Sequence, residues 1–225
     1  VNGELRVVED VAEAFAAEVA AAFRERPAET FSLTLCGGST GRLCYRHLAQ
    51  HHASALDWWD VDFYWGDERC VPADHPDSNQ RMAREVLLAE IGGANAIYPM
   101  SCEEGPEAYQ LRIAEAGRLD VIHLGMGADG HTASLFPDSP GLDAGPGQLV
   151  VLNHDPSGRN PHPRMTLTFA GIERARTVVF TVTGAEKAEA LAAVRDGADL
   201  PAARVRAERV LWLVDRAAAP WASSD

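Results

Sequence analysis

The stretch Val121-Ile-His-Leu-Gly-Met-Gly-Ala-Asp-Gly-His-Thr-Ala-Ser-Leu-Phe-Pro137 decides the reading of the fold. An apolar run, Val121 to Leu124, ends in Gly125 and Gly127. It then delivers Asp129 and His131 on either side of a third glycine, Gly130. This is the pattern of a strand that opens into a loop presenting an acid and an imidazole. Histidine is the side chain whose ordinary pKa lies between pH 5 and 8, so such a loop is a natural place for proton transfer. The glycines permit positive φ and let a ligand approach the backbone closely.

Working outward from this stretch, strands and helices alternate. Apolar positions recur at helical spacing over 10–26, and Pro27 closes the segment. Phe31–Leu35 alternates like a strand and runs into Cys36-Gly-Gly-Ser-Thr-Gly41, followed by a helix over about 42–50. Val61–Trp65 is a second strand, with a polar loop over 66–77. Ser78 is placed to cap a helix through Ile91, stopped by Gly92 and Gly93. Glu103–Ala116 predicts another helix and Leu119–Leu124 a third strand. Pro137–Gly147 is a surface loop. Strands are expected at Leu149–Asn153 and Met165–Phe169, around a turn at Asp155–Gly158. The remaining elements are a strand at Thr177–Thr183, a helix over 185–195 and a strand at Arg209–Val214, with Asp215 placed to cap a short terminal helix.

This order predicts an α/β fold with a mostly parallel central sheet and helices on both faces, a Rossmann-like three-layer sandwich. No repeat, low-complexity tract or linker divides the chain, so one domain over 1–225 is expected. In open sheets of this class ligands bind beyond the carboxyl ends of the strands. That rule selects the loops after Leu35, Trp65, Leu124 and Thr183.

The 225 residues are 46% hydrophobic, enough for a substantial core. No run of 18 apolar residues exists, which argues against a membrane span, and the N-terminal segment lacks a signal-peptide pattern. A cytoplasmic protein is therefore expected. Cys36, Cys44, Cys70 and Cys102 form no Cys-x-x-Cys pair and are expected to be free thiols in a reducing compartment. A net charge of −13 argues against a nucleic-acid surface, so an anionic ligand requires local positive charge. Lys187 is the only lysine among 20 basic residues. A chain so averse to lysine that keeps one suggests a need for a compact ammonium there.

Gly37, Gly38, Ser39 and Thr40 lie between a strand and a helix, where free N–H groups and two hydroxyls make an anion cradle. The same residues also read as an ordinary tight turn capped by Ser39. Arg69 suits forked hydrogen bonding to a phosphate. Asp67 suits a sugar hydroxyl or a catalytic partner. Asp67 and Arg69 also read as a surface pair, and Glu68 as structural or solvated. Asp129 and His131 are the candidate proton-transfer pair. His123 reads as a packed core imidazole, and His47, His51 and His52 as surface residues at a helix end. Arg159 and Arg164 flank Asn160-Pro-His-Pro163 and fit an anionic ligand or a structural role equally. Lys187 falls in the first turn of a helix, where the helix dipole disfavours a cation and a bound phosphate would reverse the penalty. No spacing matches a zinc cage, so neither metal nor cofactor is expected.

Taken together these blocks resemble the 6-phosphogluconolactonase family, within the sugar-phosphate isomerase-like folds that include glucosamine-6-phosphate deaminase. The resemblance rests on Leu35–Thr40, Trp65–Arg69 with Ser78 and Asn79, Gly125–Pro137, Arg164–Thr168 and Gly184–Lys187. After the histidine, deaminases carry a segment like Ala-Phe-Asn-Glu-Pro. Here it is Ala133-Ser-Leu-Phe-Pro137, without the glutamate. The resemblance implies hydrolysis of 6-phosphoglucono-δ-lactone to 6-phosphogluconate, in the oxidative pentose phosphate pathway. It implies His131 as general base and Arg69 near the substrate phosphate. Arg159 stands where the family usually carries lysine, and Gly41 where proline usually follows the Gly-Gly-Ser-Thr loop. The partner expected is a small phosphorylated sugar lactone, with no nucleic acid or membrane, and a monomer or weak homodimer. Two other readings stand beside this one. One is a sugar-phosphate deaminase or isomerase using Asp67 as its carboxylate base. The other is a non-catalytic sugar-phosphate sensor that has no need of His131.

Overall fold

The computed structural model describes residues 1–222. In chain order its elements begin with β1 (Glu4–Val7), α1 (Val11–Arg24), β2 (Phe31–Leu35), α2 (Gly38–His51), β3 (Val61–Trp65), β4 (Asp67–Arg69) and α3 (Asn79–Ala83). There follow β5 (Ala96–Ile97), α4 (Gly105–Ala116), β6 (Leu119–Leu124), β7 (Val150–Asn153), β8 (Arg164–Leu167) and α5 (Phe169–Ile172). The last elements are β9 (Ala175–Val182), α6 (Ala188–Arg195), α7 (Pro201–Arg204) and β10 (Arg209–Val214).

Seven strands form a parallel sheet in the order β1-β10-β9-β6-β2-β3-β5. Such a sheet is covered on both faces, which explains why β2 is buried at every position and β6 at all but one. Helix α1 starts where Asp10 accepts hydrogen bonds from the N–H groups of Ala12 and Glu13. Its buried stripe, including Phe15 and Val19, packs with α2 on the face that carries His123, and Phe15 stacks on that imidazole at 4.0 Å. Helix α4 covers the other face, and its Tyr109 hydroxyl accepts from Trp65 N–H.

The strand order contains a switch point. From β2 the chain moves outward to β3 and β5, then returns to β6 on the other side of β2 and moves outward to β9 and β10. At such a point the loops leaving adjacent strands diverge and open a crevice. The loops after β2, β3, β6 and β9 leave four adjacent strands, so the four loops selected from the sequence come together.

Three strands escape the sequence reading. β1 and β5 are short sheet edges of four and two residues. β4 falls within the expected polar loop 66–77. It pairs antiparallel with β8, which pairs antiparallel with β7, making a small second sheet beside the crevice. Asp-Glu-Arg has no apolar alternation, because its burial is by hydrogen bonding. Helix α2 begins at Gly38 rather than about 42, and the Ser78-capped helix passes from α3 into a π turn over 84–88. Asp215 accepts from Ala218 N–H at 2.7 Å, but the segment it caps is a turn, not a helix.

The cysteine expectation needs correction. Cys36 and Cys44 are free and buried, but Cys70 and Cys102 form a disulfide, with Cα atoms 5.4 Å apart. Their separation of 32 residues hides this, because only the fold sets the loop after β4 beside the segment entering α4. No helix among the described residues is long and apolar enough to cross a membrane.

Candidate active site

The crevice is lined by Gly37 to Gly41, Asp67, Arg69, Asn79, Gly125 to Gly127, His131, Ala133, Thr183 and Lys187, among others. Its floor is the end of β2, where the chain turns into α2. Gly37 is the N-cap of that helix and no side chain caps it, so the first N–H groups of α2 have no intrahelical partner. A β-carbon at Gly37 would lie 2.0 Å from Asn79 Oδ1, so only glycine lets α3 come this close.

His131 and Asp129 sit on the loop after β6. Asp129 Oδ1 accepts from His131 Nδ1 at 2.6 Å and from the His131 backbone N–H at 3.2 Å. Burial alone would raise the Asp129 carboxyl, but the hydrogen bond and charge of His131 outweigh it and hold it at about 2. The carboxylate therefore fixes which imidazole nitrogen carries the proton, and Nε2 is left without a protein partner among the described residues. Gly127 makes the pairing possible, since a β-carbon there would lie 2.1 Å from His131 Nδ1 and 2.5 Å from Asp129 Oδ1. The ring of Phe136 packs 4.8 Å from the imidazole.

Asp67, on β4, is almost fully buried. Its Oδ2 accepts from Ser134 Oγ at 2.6 Å and its Oδ1 from Asn79 Nδ2 at 3.2 Å. The neighbouring Glu68 is structural and buried rather than solvated. It accepts from the N–H groups of Arg69, Asn79 and Gln80 and from Ser78 Oγ, closing the N-terminus of α3. Burial raises its carboxyl, and the backbone donors pull the other way.

Two cations reach the crevice, Arg69 and Lys187. Arg69 donates one terminal nitrogen to the Asp77 carbonyl, its Nε is buried without a hydrogen-bond partner among the described residues, and its second terminal nitrogen is left to face a ligand. Lys187 ends a short 3-10 turn, Ala185–Lys187, just before α6. The Thr40 and Thr183 hydroxyls, 2.7 Å apart, tie the α2 loop to the loop that carries this lysine.

The other two candidate arginines sit elsewhere. Arg164 lies on β8 directly across from Arg69, buried, with its guanidinium 6.0 Å over the Phe136 ring. Burial and then Arg69 pull its pKa below the usual value. It backs the crevice without lining it. Arg159 is exposed and lines a separate shallow cleft with Asp129, Asp138 and Asp155, so the structure does not bring it to the crevice. His123 is sealed in the core. Its Nδ1 lies 2.9 Å from the Tyr45 hydroxyl and its Nε2 2.8 Å from Thr181 Oγ1, and burial brings it down to about 3.

Asn79, Ser134 and Thr183 also hold this arrangement, and nothing local in the sequence marks them as site residues. Asn79 follows a helix cap, and the other two are ordinary loop hydroxyls until the fold shows what they bond.

A family model described as Glucosamine-6-phosphate isomerases/6-phosphogluconolactonase matches residues 4–212. A 6-phosphogluconolactonase of Synechocystis sp. is 40% identical over 206 residues, covering 83% of this chain and 82% of that one. A 6-phosphogluconolactonase of Mycobacterium tuberculosis is 36% identical over 208 residues, covering 83% of each. Among solved structures, the 6-phosphogluconolactonase of Trypanosoma brucei superposes with a TM-score of 0.81 at 32% identity, covering 99% of each chain. A monomeric glucosamine-6-phosphate deaminase, 19% identical with a TM-score of 0.79 and covering 96% of this chain and 98% of that one, shares the fold.

Proposed function

The chain belongs to the glucosamine-6-phosphate isomerase/6-phosphogluconolactonase family, and from that premise we propose that it hydrolyses 6-phospho-D-glucono-1,5-lactone to 6-phospho-D-gluconate. The whole of 1–225 is read as one lactonase domain. The observation that carries the proposal is the 2.6 Å His131–Asp129 contact, which leaves Nε2 without a partner among the described residues, beside a crevice that also holds a helix N-terminus and two cations.

A δ-lactone already presents an activated ester carbonyl, so a positioned base is sufficient to start the reaction. Neutral His131 takes a proton through Nε2 from water as its oxygen attacks C1. The imidazolium that forms is stabilised by the Asp129 carboxylate. As the tetrahedral intermediate collapses, Nε2 returns the proton to the ring oxygen, the C1–O bond breaks and the acid is released. Such acid–base assistance contributes about 10²–10⁴-fold.

The phosphate sits at the N-terminus of α2, where the N–H groups of the Gly37–Thr40 loop point at it, with Lys187 and Arg69 alongside. This concentrates positive potential in a chain of net charge −13. Asp67, restrained by Ser134 and Asn79, accepts from a ring hydroxyl. Phosphate anchoring fixes C1 relative to His131. Because both Asp67 oxygens are already engaged, this carboxylate suits orienting a hydroxyl better than removing a proton from carbon.

The test is lactone hydrolysis followed by pH-stat with freshly made substrate, after subtraction of spontaneous opening. His131→Ala should lower kcat by about 10²–10⁴-fold while leaving phosphate-dependent binding intact. Unchanged hydrolysis in that variant removes the mechanism, and release of ammonia from glucosamine 6-phosphate would move the chain to the deaminase reading.

A further inference from the structure

The histidines at the end of α2 take no part in this chemistry, yet two of them are organised. His47 and His52 both direct Nε2 at one oxygen of Glu13, on α1, at 2.7 and 3.0 Å. All three donor atoms lie within 4.8 Å of one another. We propose that Glu13, His47 and His52 form a binding site for a zinc-like divalent cation that pins the C-terminal end of α2 to α1.

The donor set has the chemistry for it. Two imidazole nitrogens and one carboxylate oxygen are ordinary zinc ligands, with bonds of about 2.0–2.2 Å. Tetrahedral bonds of that length set neighbouring ligand atoms roughly 3.3 Å apart. Opening the cluster by a few tenths of an ångström therefore makes room for the ion, and water takes the fourth position. The movement is easy, because Glu13 has half its side chain in solvent while both imidazoles are largely covered. Affinity among divalent ions should follow the usual order, with copper strongest and manganese weakest.

A second cluster, His75, Asp77 and His162, is less suited. His75 Nδ1 already accepts from the Asp77 backbone N–H at 3.1 Å, so its lone pair is in use, and it lies 3.9 Å from the Asp77 carboxylate. In the Glu13 cluster the bonds at each Nε2 among the described residues run only to Glu13 itself, and the ion replaces them as each imidazole keeps its proton on Nδ1 instead. Spacing along the chain conceals it, because the carboxylate comes from another helix, 34 and 39 residues away.

Helix α2 has 14 residues, so at 1.5 Å per residue its two ends are about 20 Å apart. The Gly37–Thr40 cradle is at the other end, and the ion should act on stability rather than on the reaction.

The experiment is calorimetric titration of zinc into the metal-stripped full chain, paired with thermal unfolding at rising zinc concentration. One zinc per chain is expected, with Tm climbing as zinc rises. The His47→Ala/His52→Ala double variant should bind at least about 10-fold more weakly and lose the zinc-dependent rise in Tm. If that variant does not fold, Glu13→Gln keeps the shape and hydrogen-bond acceptor, removes the charge, and should show the same loss. Undiminished zinc binding in these variants overturns the proposal. So does zinc binding lost only in a His75→Ala/His162→Ala variant, or a wild-type Tm indifferent to zinc.

Discussion

Ser134 Oγ lies 2.6 Å from Asp67 Oδ2, so a residue three positions after His131 is bonded to the strand that leads into Arg69. One hydroxyl thus joins the loop of the proposed base to the strand of a proposed phosphate ligand. The contact is buried at both ends, where hydrogen bonds to a charged group are strongest.

Ser134→Ala leaves Asp67 Oδ2 without its donor in a dry setting. The loss should be about 1.5–3 kcal/mol of stability, measured by urea unfolding. Activity should fall as well, because Asp67 and the His131 loop lose their common anchor. A variant as stable as the wild type would mean that water replaces the serine and that the carboxylate is not sealed.

Lys187 stands alone as a lysine, at the entry to α6, where the helix dipole opposes its charge. A phosphate that neutralises it repays that cost. Lys187→Met should raise KM about 10–100-fold, the worth of one charge-assisted hydrogen bond, with a smaller effect on kcat. Inhibition by inorganic phosphate should weaken in parallel. A variant that loses kcat at unchanged KM would place the lysine at the reacting carbon instead.

The Cys70–Cys102 bond closes a loop of 32 residues immediately after Arg69. The same cysteine is held by its N–H to the Pro163 carbonyl at 2.9 Å, next to Arg164. Cross-links of this loop length contribute about 2–4 kcal/mol. Reduction with dithiothreitol should lower stability by that order and raise KM more than kcat, because Arg69 loses its stiff support. A Cys70→Ser/Cys102→Ser chain should reproduce both effects without reductant. No change in either measurement would show that the surrounding hydrogen bonds hold the loop unaided.

What the chain discloses by itself follows from which interactions are local. β2, β3, β6 and β10 are rich in apolar residues and buried at nearly every position because both sheet faces are covered, and their bounds match the sequence reading. The Asp129–His131 pair is legible because a single glycine, Gly130, separates its members. β4 is not, since its carboxylates are buried by donors from α3 and from the loop after β6. The disulfide, the Thr40–Thr183 bond and the Glu13 cluster are equally hidden, as each joins segments that meet only in the folded chain. Arg159 fits a ligand or a structural role equally from its loop, and the path of that loop carries it to a separate cleft that it lines with Asp129.

His123 ties stability to acidity. Burial brings its imidazole from 6.5 in the open chain to about 3 in the fold. Between these values the unfolded chain holds a proton that the native chain lacks, so stability falls as pH drops from about 6.5 towards about 3. Above 6.5 both states are neutral and this group contributes no pH dependence. The steepest slope is about 1.4 kcal/mol per pH unit. His123→Gln removes the titration while keeping a polar side chain between Tyr45 and Thr181. Urea unfolding at pH 7, 6 and 5 should show the wild type losing about 1–2 kcal/mol more than the variant by pH 5. Parallel slopes in the two proteins would mean that this imidazole takes up its proton inside the fold, and that the core between α1 and the central sheet admits water.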